Sequence, residues 1–407
     1  MNISKCRSCK KSDFEDCLDL GNQTLTGVFP KKKGEKIQNG NLKLIICKNC
    51  NLLQLSRNFN KHAMYGENYG YMSSLNPTMI EHLKSKSKKL LNIIKLNAGD
   101  QIIDIGSNDG TFLSFFSKNL IRIGVDPTIN KFKKNYLNKI FAIPDFFSKE
   151  VLKKFKITKK TKLITSIAMF YDLEDPVAFA KDIFEMLDDD GVWHFEQSYM
   201  PSMIKNVSYD TICHEHLEYY SLKSVKFILD QANFKIIDIQ LNKINGGSFS
   251  ITVAKKNSKK FSETPLLDWH LNKEEIYGYN KINKIKEFAA SVYNHKKLFR
   301  ELILNLNDMN KKVFGYGAST KGNVILQFCK LNDQYIKKIV DVNPYKRNRF
   351  TPGTNIKIIN EKDFKKDIPD YLVILPWHFR DFIIHKEKNF IKNGGHLIFP
   401  LPEIEII

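Results

Sequence analysis

The densest run of reactive side chains lies in residues 209–221, where the sequence reads YDTICHEHLEYYS. His214, Glu215 and His216 follow one another there, and Tyr219 comes three residues later. An imidazole beside a carboxylate can act as a general base with an orienting partner, because the pKa of histidine lies near neutral pH. A His-Glu-His metal site is the competing interpretation, although it has no fourth ligand at an obvious spacing.

Two pairs of cysteines lie in the first 50 residues, Cys6-x-x-Cys9 and Cys47-x-x-Cys50. A two-residue gap lets both thiolates of a pair reach one ion, and four thiolates complete a tetrahedral site with no open position. The pattern therefore predicts a structural zinc ion rather than a catalytic one. A redox-active pair is disfavoured, because no strand–helix–strand pattern surrounds either pair.

A glycine-bearing loop, DIGSNDG, begins at Asp104 after an apolar run and leads into a predicted helix. Gly106 and Gly110 let the backbone turn tightly and approach a ligand closely. Their G-x-x-x-G spacing differs from the G-x-G-x-x-G that cradles a pyrophosphate, which favours a ligand such as S-adenosylmethionine. Asp126 ends the next predicted strand, where an acid can accept hydrogen bonds from ribose hydroxyls. The predicted cofactor-binding residues are Asp104, Gly106, Ser107, Asn108, Gly110, Asp126 and Asp145.

A second glycine-bearing loop, GYGASTKG, spans residues 315–322 and also lies between a predicted strand and a predicted helix. Its amides, its hydroxyls and Lys321 can hold a pyrophosphate or a nucleotide, and Asp341 ends the following strand. The loop lacks the Walker arrangement, which argues against hydrolysis of a nucleoside triphosphate. A nucleotide-linked sugar is the favoured ligand, and NAD is the alternative.

Hydroxyl-bearing and aromatic side chains form another cluster, YGYMSS, at the end of the cysteine-containing segment. We expect Tyr69, Tyr71, Ser73 and Ser74 to line the same cleft as the histidines.

The elements that position these residues follow from hydrophobic periodicity. An amphipathic stretch after Pro77 precedes apolar runs that alternate with helical segments, as in a parallel sheet with helical crossovers. The runs FKIIDIQL and SFSITVAKK flank the turn-forming NKINGG and predict an antiparallel hairpin that ends the sheet. A long polar helical segment, residues 263–310, separates this sheet from a second α/β alternation.

The predicted fold is therefore α/β. A class I, Rossmann-like S-adenosylmethionine methyltransferase domain at 76–255 is flanked by a zinc-binding module at 1–75 and by a second Rossmann-like domain at 256–407.

The formal net charge of +20 comes from 64 basic residues, of which only seven are arginine, the side chain preferred for phosphate and base recognition. The lysines are spread along the chain, so nucleic acid is a disfavoured partner. No apolar run approaches the roughly 20 residues that span a bilayer, and the start of the chain is polar. We expect a cytoplasmic protein without a membrane partner, either a monomer or a small homo-oligomer.

Together these segments resemble the sugar C-methyltransferases of deoxysugar biosynthesis, which make branched sugars such as mycarose and tetronitrose. The matching motifs, in chain order, are CRSC with CKNC, the tyrosine cluster, DIGSNDGTFL, HEH-x-x-YYS, NGGSFSITVAKK, GYGASTKGN and DVNPYKRNRFTPG.

The resemblance implies a three-domain enzyme that binds a nucleotide-diphosphate sugar between its last two domains. It implies that His216 removes the proton beside the sugar C4 ketone, that Glu215 supports it, and that Tyr69 or Tyr71 lies near the sugar. The resulting enediolate would take a methyl group from S-adenosylmethionine. His214 is the remaining candidate in the catalytic segment. The implied substrate contacts are Ser73, Ser74, Tyr219, Gly317, Lys321, Asp341 and Lys346.

The sequence departs from the family pattern at two places. Cys213 stands where a tyrosine is frequent, and Arg347-Asn348-Arg349 occupies a loop where a glycine is common. Two rival functions stay open at this point. One is a sugar O-methyltransferase on the same scaffold, and the other is a zinc-ribbon RNA-binding protein or RNA methyltransferase.

Overall fold

The N-terminal part of the chain is a small antiparallel sheet. The computed structural model describes residues 2–65, 71–136 and 139–407. The N-terminal elements are β1 (Phe14–Thr24), β2 (Asn39–Cys47), β3 (Leu53–Leu55) and the short helix α1 (Lys61–Met64). β2 lies between β1 and β3 and is antiparallel to both. β2 buries alternate residues from Gly40 and then each residue from Leu44, as expected for a central strand.

A single long helix, α2 (Pro77–Ile93), leads from this sheet into the next one. The side chain of Asn76 caps the helix by accepting hydrogen bonds from the amides of Thr78 and Met79, and a proline at the first helical position is favourable. The predicted amphipathic helix is thus confirmed.

The central part of the chain is a doubly wound α/β domain. Its elements are β4 (Gln101–Ile105), α3 (Thr111–Ser114), β5 (Ile121–Val125), α4 (Ile129–Phe132), β6 (Ile140–Ile143), α5 (Lys149–Lys154), β7 (Thr161–Ile167), α6 (Pro176–Met186), β8 (Leu187–Ser198), α7 (Met200–Lys205), β9 (Glu218–Tyr219), α8 (Leu222–Gln231), β10 (Phe234–Asn242) and β11 (Ser248–Lys255).

Seven of these strands form one sheet in the order β10-β11-β8-β7-β4-β5-β6. β4 to β8 are parallel, whereas β11 runs antiparallel to both β8 and β10. The strand order reverses between β4 and β7, and in such sheets ligands bind beyond the carboxyl ends of the strands at this switch point. The predicted class I fold and the terminal antiparallel hairpin are both confirmed.

One strand of the central segment belongs to a different sheet. β9, which begins two residues after His216, pairs antiparallel with β3 and forms the fourth strand of the N-terminal sheet. The sequence analysis did not predict this pairing. It joins the cysteine-containing module to the segment that carries the histidines.

The C-terminal part contains two helices followed by a second doubly wound sheet. Its elements are α9 (Leu266–Ile276), α10 (Ile282–Asp308), β12 (Val313–Tyr316), α11 (Thr320–Phe328), β13 (Lys338–Val340), β14 (Lys357–Ile359), α12 (Glu361–Phe364), β15 (Tyr371–Ile374), α13 (Arg380–Lys386), α14 (Lys388–Lys392), β16 (His396–Phe399) and β17 (Glu405–Ile406). The strand order is β14-β13-β12-β15-β16-β17, with only β17 antiparallel to its neighbour.

The two helices before the second sheet pack differently. Glu274 of α9 accepts hydrogen bonds from the hydroxyl of Tyr199 at 2.7 Å and from the amide of Leu222 at 2.6 Å, so α9 packs on the central domain. α10 buries residues three or four positions apart, and these belong to the core of the C-terminal domain. The domain boundaries at 75 and 255 stay predictions. In the described parts of the chain, no helix combines the length and the apolar character needed to cross a membrane.

Candidate active site and zinc centre

The four paired cysteines converge in the N-terminal module. Their Sγ atoms all lie within 4.8 Å of one another, with Cys6 3.6 Å from Cys50 and Cys9 3.5 Å from Cys47. Zinc–sulfur bonds of about 2.3 Å in a tetrahedron place neighbouring sulfur atoms roughly 3.8 Å apart. The four residues therefore fit one zinc ion in a closed site.

A buried side-chain network surrounds the cysteines. The amide of Gln54 donates a hydrogen bond to Cys6 Sγ at 3.2 Å, and the carbonyl oxygen of the same side chain accepts one from Arg7 Nη1. A hydrogen bond from the Cys50 thiol is the main cause that lowers the pKa of Cys6 to about 5. Arg7 also lies 3.9 Å from the carboxylate of Glu218 in β9, with both side chains buried. The network therefore reaches from the cysteines into β9.

The first glycine-bearing loop folds around the acid that ends β5. Gly106 and Gly110 both have left-handed φ values, +73° and +76°, that favour glycine. The amide of Asn108 donates to Asp126 Oδ2 at 2.9 Å, and the amide of Thr128 donates to Oδ1 at 2.7 Å. The carboxylate is thus held at the sheet edge where the ribose of a bound nucleoside is expected.

A second buried acid lies at the end of β4. Asp104 accepts a hydrogen bond from Thr165 Oγ1 at 2.6 Å, and burial raises the pKa of its carboxyl group to about 7. Burial also raises the pKa of Asp126. A cationic ligand would favour the ionised form of both acids, so the site fits S-adenosylmethionine, which carries a sulfonium and an ammonium group. Asp145 lies two residues beyond β6 and accepts a hydrogen bond from the amide of Phe146 at 2.8 Å.

The hydroxyl-rich segment lies directly against this loop. The amide of Ser73 donates to the Asn108 side chain at 3.0 Å, and the amide of Ser74 donates to Asp109 at 2.9 Å. The Asn108 side chain in turn donates to the carbonyl of Tyr71 at 3.3 Å. Ser107 Oγ, on the same loop, hydrogen-bonds the hydroxyl of Tyr136 at 2.8 Å. Tyr69 lies outside the described residues.

His216 is held by a short backbone hydrogen bond. Its Nδ1 lies 2.7 Å from the carbonyl oxygen of Thr211, so Nδ1 carries the proton and Nε2 is left with a lone pair. Burial, and then the positive charge of Lys321, lower the pKa of the imidazole to about 3. The ring of Tyr171 packs 4.1 Å from the His216 ring. The small cavity at His216 is also lined by Tyr171, Ser198, Met200, Met203, Thr211, Glu218 and Tyr219.

The neighbouring residues of the histidine segment contact the N-terminal module instead. His214 Nε2 donates to the carbonyl of Gln23 at 3.1 Å, and burial lowers its pKa to about 4. A Cβ atom on Gly27 would overlap Oε1 of Glu215, so this carboxylate packs directly on the module backbone. The hydroxyl of Tyr219 donates to the carbonyl of His216 at 3.0 Å. The side chains of His214 and Glu215 therefore face the N-terminal module, whereas that of His216 does not share their contacts.

The second glycine-bearing loop is braced by two predicted substrate residues. Asp341 accepts a hydrogen bond from the amide of Ala318 at 2.7 Å, and Lys346 Nζ donates to the carbonyl of Ala318 at 2.6 Å. Gly317 has φ +80°, and a Cβ there would come within 2.6 Å of Pro376. These contacts fix the loop close to the carboxyl end of β12.

Three cations from two domains lie near one another, two of them against Phe29 of the N-terminal module. Lys346 Nζ lies 4.7 Å from the Phe29 ring, and Arg349 Nη1 donates to the Phe29 carbonyl at 2.9 Å. Lys131 Nζ, from the central domain, lies 5.8 Å from the Tyr345 ring. Burial first, and then the charges of Arg349 and Lys346, lower the pKa of Lys131. Lys131, Lys346 and Arg349 are referred to below as the basic cluster.

Several of these residues were not predicted from the sequence. Tyr171 and Gly27 lie outside every motif, and Thr211 lies in the 209–221 run without a predicted role, so only the structure places them beside His216 or Glu215. Lys131 and Arg349 did carry a signal, since one follows Asp126 by five residues and the other lies in the DVNPYKRNR motif.

Comparison with known proteins gives three domain matches in order. Residues 6–65 match the family described as "Putative zinc binding domain", residues 79–239 match "Methyltransferase domain", and residues 243–402 match "C-methyltransferase C-terminal domain". The C-methyltransferase NovU of Streptomyces niveus is 28% identical over 100% of this chain and 97% of its own.

Two solved structures are similar to part of the chain. An S-adenosylmethionine-dependent methyltransferase from Clostridium acetobutylicum is 13% identical, with 43% of this chain and 92% of that chain covered at a TM-score of 0.34. The N-methyltransferase NodS of Bradyrhizobium japonicum, bound to S-adenosylhomocysteine, is 13% identical, with 44% and 88% covered at 0.33. Scores this low carry no argument, so the fold assignment rests on strand order and the domain match.

The ordered matches to a zinc-binding, a methyltransferase and a C-methyltransferase C-terminal domain, together with the cysteine cluster and the cofactor loop, show that the chain is an S-adenosylmethionine-dependent C-methyltransferase. The predicted enzyme class and both predicted cofactors are confirmed. The individual site residues stay predictions.

The zinc centre leads to a first prediction. Cys9→Ser should lose tightly bound zinc and lower the free energy of unfolding by about 3 kcal/mol or more, because loss of a metal ligand is among the most destabilising single changes. Cys17→Ser is the matched control, since Cys17 lies outside the cluster. Elemental analysis and thermal unfolding would report both effects. Unchanged zinc content in Cys9→Ser would contradict the assignment.

The raised pKa of Asp104 leads to a second prediction. A cationic ligand binds the ionised carboxylate, which is lost as the pH falls through 7. The affinity for S-adenosylmethionine should therefore weaken below pH 7, approaching about tenfold per pH unit. Calorimetry between pH 8 and pH 5.5 would measure this slope. Asp104→Asn should bind more weakly and flatten the slope, and an equal slope in the variant would remove the role of Asp104.

Proposed function

We propose that this C-methyltransferase transfers a methyl group to the carbon beside the ketone of a nucleotide-linked 4-keto-6-deoxysugar. The observation that carries the proposal is the state of His216. The imidazole is neutral, its proton lies on Nδ1 because of the Thr211 carbonyl, and its ring lines a cavity. A base with this arrangement can accept a proton from a carbon acid on Nε2.

The path from the cofactor loop to this base is short. A Cβ on Gly106 would come within 2.9 Å of the Met169 side chain, so this loop and the turn after β7 are in contact. Tyr171, two residues after Met169, packs on His216 and accepts a hydrogen bond on its carbonyl from the amide of Leu217 at 2.8 Å. Cofactor loop and base are therefore joined by one turn of chain.

The basic cluster supports a binding site for the diphosphate. The basic cluster brings three cations together next to the loop that Asp341 and Lys346 brace. Like charges in close proximity repel one another, and an anion with two phosphates would relieve that repulsion. Gly317, with its left-handed φ, lets the loop turn sharply before α11. The nucleotide diphosphate would bind here, with its sugar directed toward His216.

The chemistry divides between cofactor and protein. S-adenosylmethionine supplies an electrophilic methyl group when bound. The protein's part is to orient the sugar, to remove the proton beside its ketone with His216, and to exclude water from the resulting enediolate. We assign Tyr71, Ser73 and Ser74 to the rim of the sugar site, because their backbone contacts the cofactor loop. Glu215 supports the segment from the side of the N-terminal module.

The whole-length similarity to a C-methyltransferase favours carbon over oxygen as the methyl acceptor. The direct test is incubation with methyl-labelled cofactor and a panel of nucleotide 4-keto-6-deoxysugars, followed by mass and NMR analysis of the products. We expect one sugar of the panel to gain a methyl group on carbon and to lose the proton beside its ketone. A methyl group on oxygen would contradict the proposal and support a sugar O-methyltransferase. Labelling of added RNA would contradict it and support an RNA methyltransferase.

A third prediction concerns the base. His216→Asn keeps a polar side chain of similar size but removes the proton acceptor. It should bind cofactor and nucleotide nearly normally and lose about two to four powers of ten in turnover, the usual contribution of a general base. The measurement is exchange of the sugar proton with deuterated water in the absence of cofactor.

The matched control is His396→Asn, because His396 is exposed at the start of β16. Exchange should be normal in His396→Asn and absent in His216→Asn. Exchange that survives in His216→Asn would move the base to another group, with His214 or Tyr71 as the next candidates.

A further inference from the structure

Lys321 bridges the two α/β domains. It is the second residue of α11, directly after the second glycine-bearing loop, and its Nζ donates to the carbonyl of Asn245 at 2.8 Å. Asn245 lies in the turn between β10 and β11 of the central domain. The lysine therefore leaves the C-terminal domain and reaches toward the histidine segment.

The helix that carries Lys321 packs on the catalytic segment, because α11 contacts the turn Tyr209–Thr211 and the carbonyl of Thr211 holds His216. The charge of Lys321 lowers the pKa of His216 and of His378 and opposes the effect of burial on the pKa of Asp210. Asp210 is buried, and its Oδ2 accepts a hydrogen bond from Trp377 Nε1 at 2.8 Å. Burial lowers the pKa of Lys321, and the charge of Asp210 opposes this effect.

The surroundings of Lys321 differ from those of the basic cluster. In the basic cluster the cations act on one another, as the lowered pKa of Lys131 shows. The charge of Lys321 instead acts on His216 at the other end of the cleft. An ammonium group carries three N–H donors, and the Asn245 carbonyl takes one of them. Two donors are left for a ligand, which we place near His216 because α11 packs against the turn that holds this histidine.

We propose that Lys321 is a catalytic residue whose ammonium group donates a hydrogen bond to the ketone oxygen of the substrate while His216 removes the neighbouring proton. This role rests on the function proposed above, and it differs from the diphosphate contact that the sequence suggested for the same lysine.

The step balances within the substrate and the two side chains. The C–H bond beside the ketone breaks, and its electron pair forms the carbon–carbon double bond of the enolate. The π pair of the ketone moves onto oxygen, and the proton goes to His216 Nε2. Lys321 keeps its protons and only donates a hydrogen bond to the oxygen that becomes negative.

The geometry explains how a weak base can serve in this site. Burial and the Lys321 charge make His216 a poor proton acceptor. The same charge stabilises the enolate oxygen and thereby makes the substrate a stronger carbon acid. Fixed donors aimed at a developing oxyanion contribute about 100- to 1000-fold to the rate in enzymes where one has been removed.

The test compares Lys321→Met, which removes the charge at similar size, with Lys321→Arg, which retains it. Lys330→Met is the control, because it removes the same charge from an exposed position two residues beyond the end of α11. Two quantities are measured for each protein. One is the affinity for the free nucleoside diphosphates dTDP, CDP and GDP, and the other is exchange of the sugar proton into deuterated water without cofactor. Binding of S-adenosylmethionine verifies folding.

Lys321→Met should bind the diphosphate within about twofold of wild type and lose about 100- to 1000-fold in exchange. Lys321→Arg should retain more exchange than Lys321→Met, and Lys330→Met should match wild type. Unchanged exchange in Lys321→Met, or an equal loss in the Met and Arg variants, would overturn the proposal. Loss of diphosphate affinity in Lys321→Met would overturn the proposal and show that Lys321 contacts the phosphates instead. Wild-type protein that exchanges no sugar of the panel would instead refute the proposed function, and this role with it.

Discussion

The pairing of β3 with β9 is the contact on which the arrangement of the active site depends. Leu53 pairs with Tyr219 and Gln54 with Glu218, and the amide of Leu55 donates to the carbonyl of Leu217 at 2.9 Å. These hydrogen bonds lie within three residues of His216. β3 follows the knuckle of Cys47 and Cys50 directly, so a zinc ion bound there would fix the strand that holds the segment of His216, the proposed base. The zinc site is structural because its coordination is closed. It would nevertheless affect the proposed proton transfer, because the β3–β9 pair connects it to His216.

The same module also holds the C-terminal domain. Asn323 Nδ2 donates to the carbonyl of Thr26 at 2.7 Å, and Gln327 exchanges hydrogen bonds with the backbone of Thr24. Both side chains come from α11, the helix that begins next to Lys321. The N-terminal module therefore contacts both the segment of the proposed base and the helix that carries Lys321. Its position decides whether the two groups face one sugar.

Part of this arrangement could be predicted from the sequence, because it is encoded locally. Cysteine spacing, the left-handed glycines Gly106 and Gly317, and the alternation of strands and helices each need only neighbouring residues. The β3–β9 pairing joins residues separated by more than 160 positions, and strands of three and two residues have no periodicity to detect. Position 27 requires glycine because Glu215 fills the space that a Cβ atom would need, and not because of its φ angle. This requirement can be seen only in the folded chain. The direction in which the Lys321 side chain points likewise depends on its hydrogen bond to Asn245, which lies in the central domain.

We infer that zinc positions His216 without forming the cofactor site. One measurement tests this inference most directly. A single preparation is assayed before zinc is chelated, after chelation, and after zinc is restored. Both cofactor affinity and proton exchange of the keto-sugar are followed. Exchange should fall by about 100-fold on chelation, the cost of misplacing a catalytic group by about 1 Å, and return with zinc, while cofactor affinity changes little. Exchange that continues at the wild-type rate in zinc-free protein would contradict the claim.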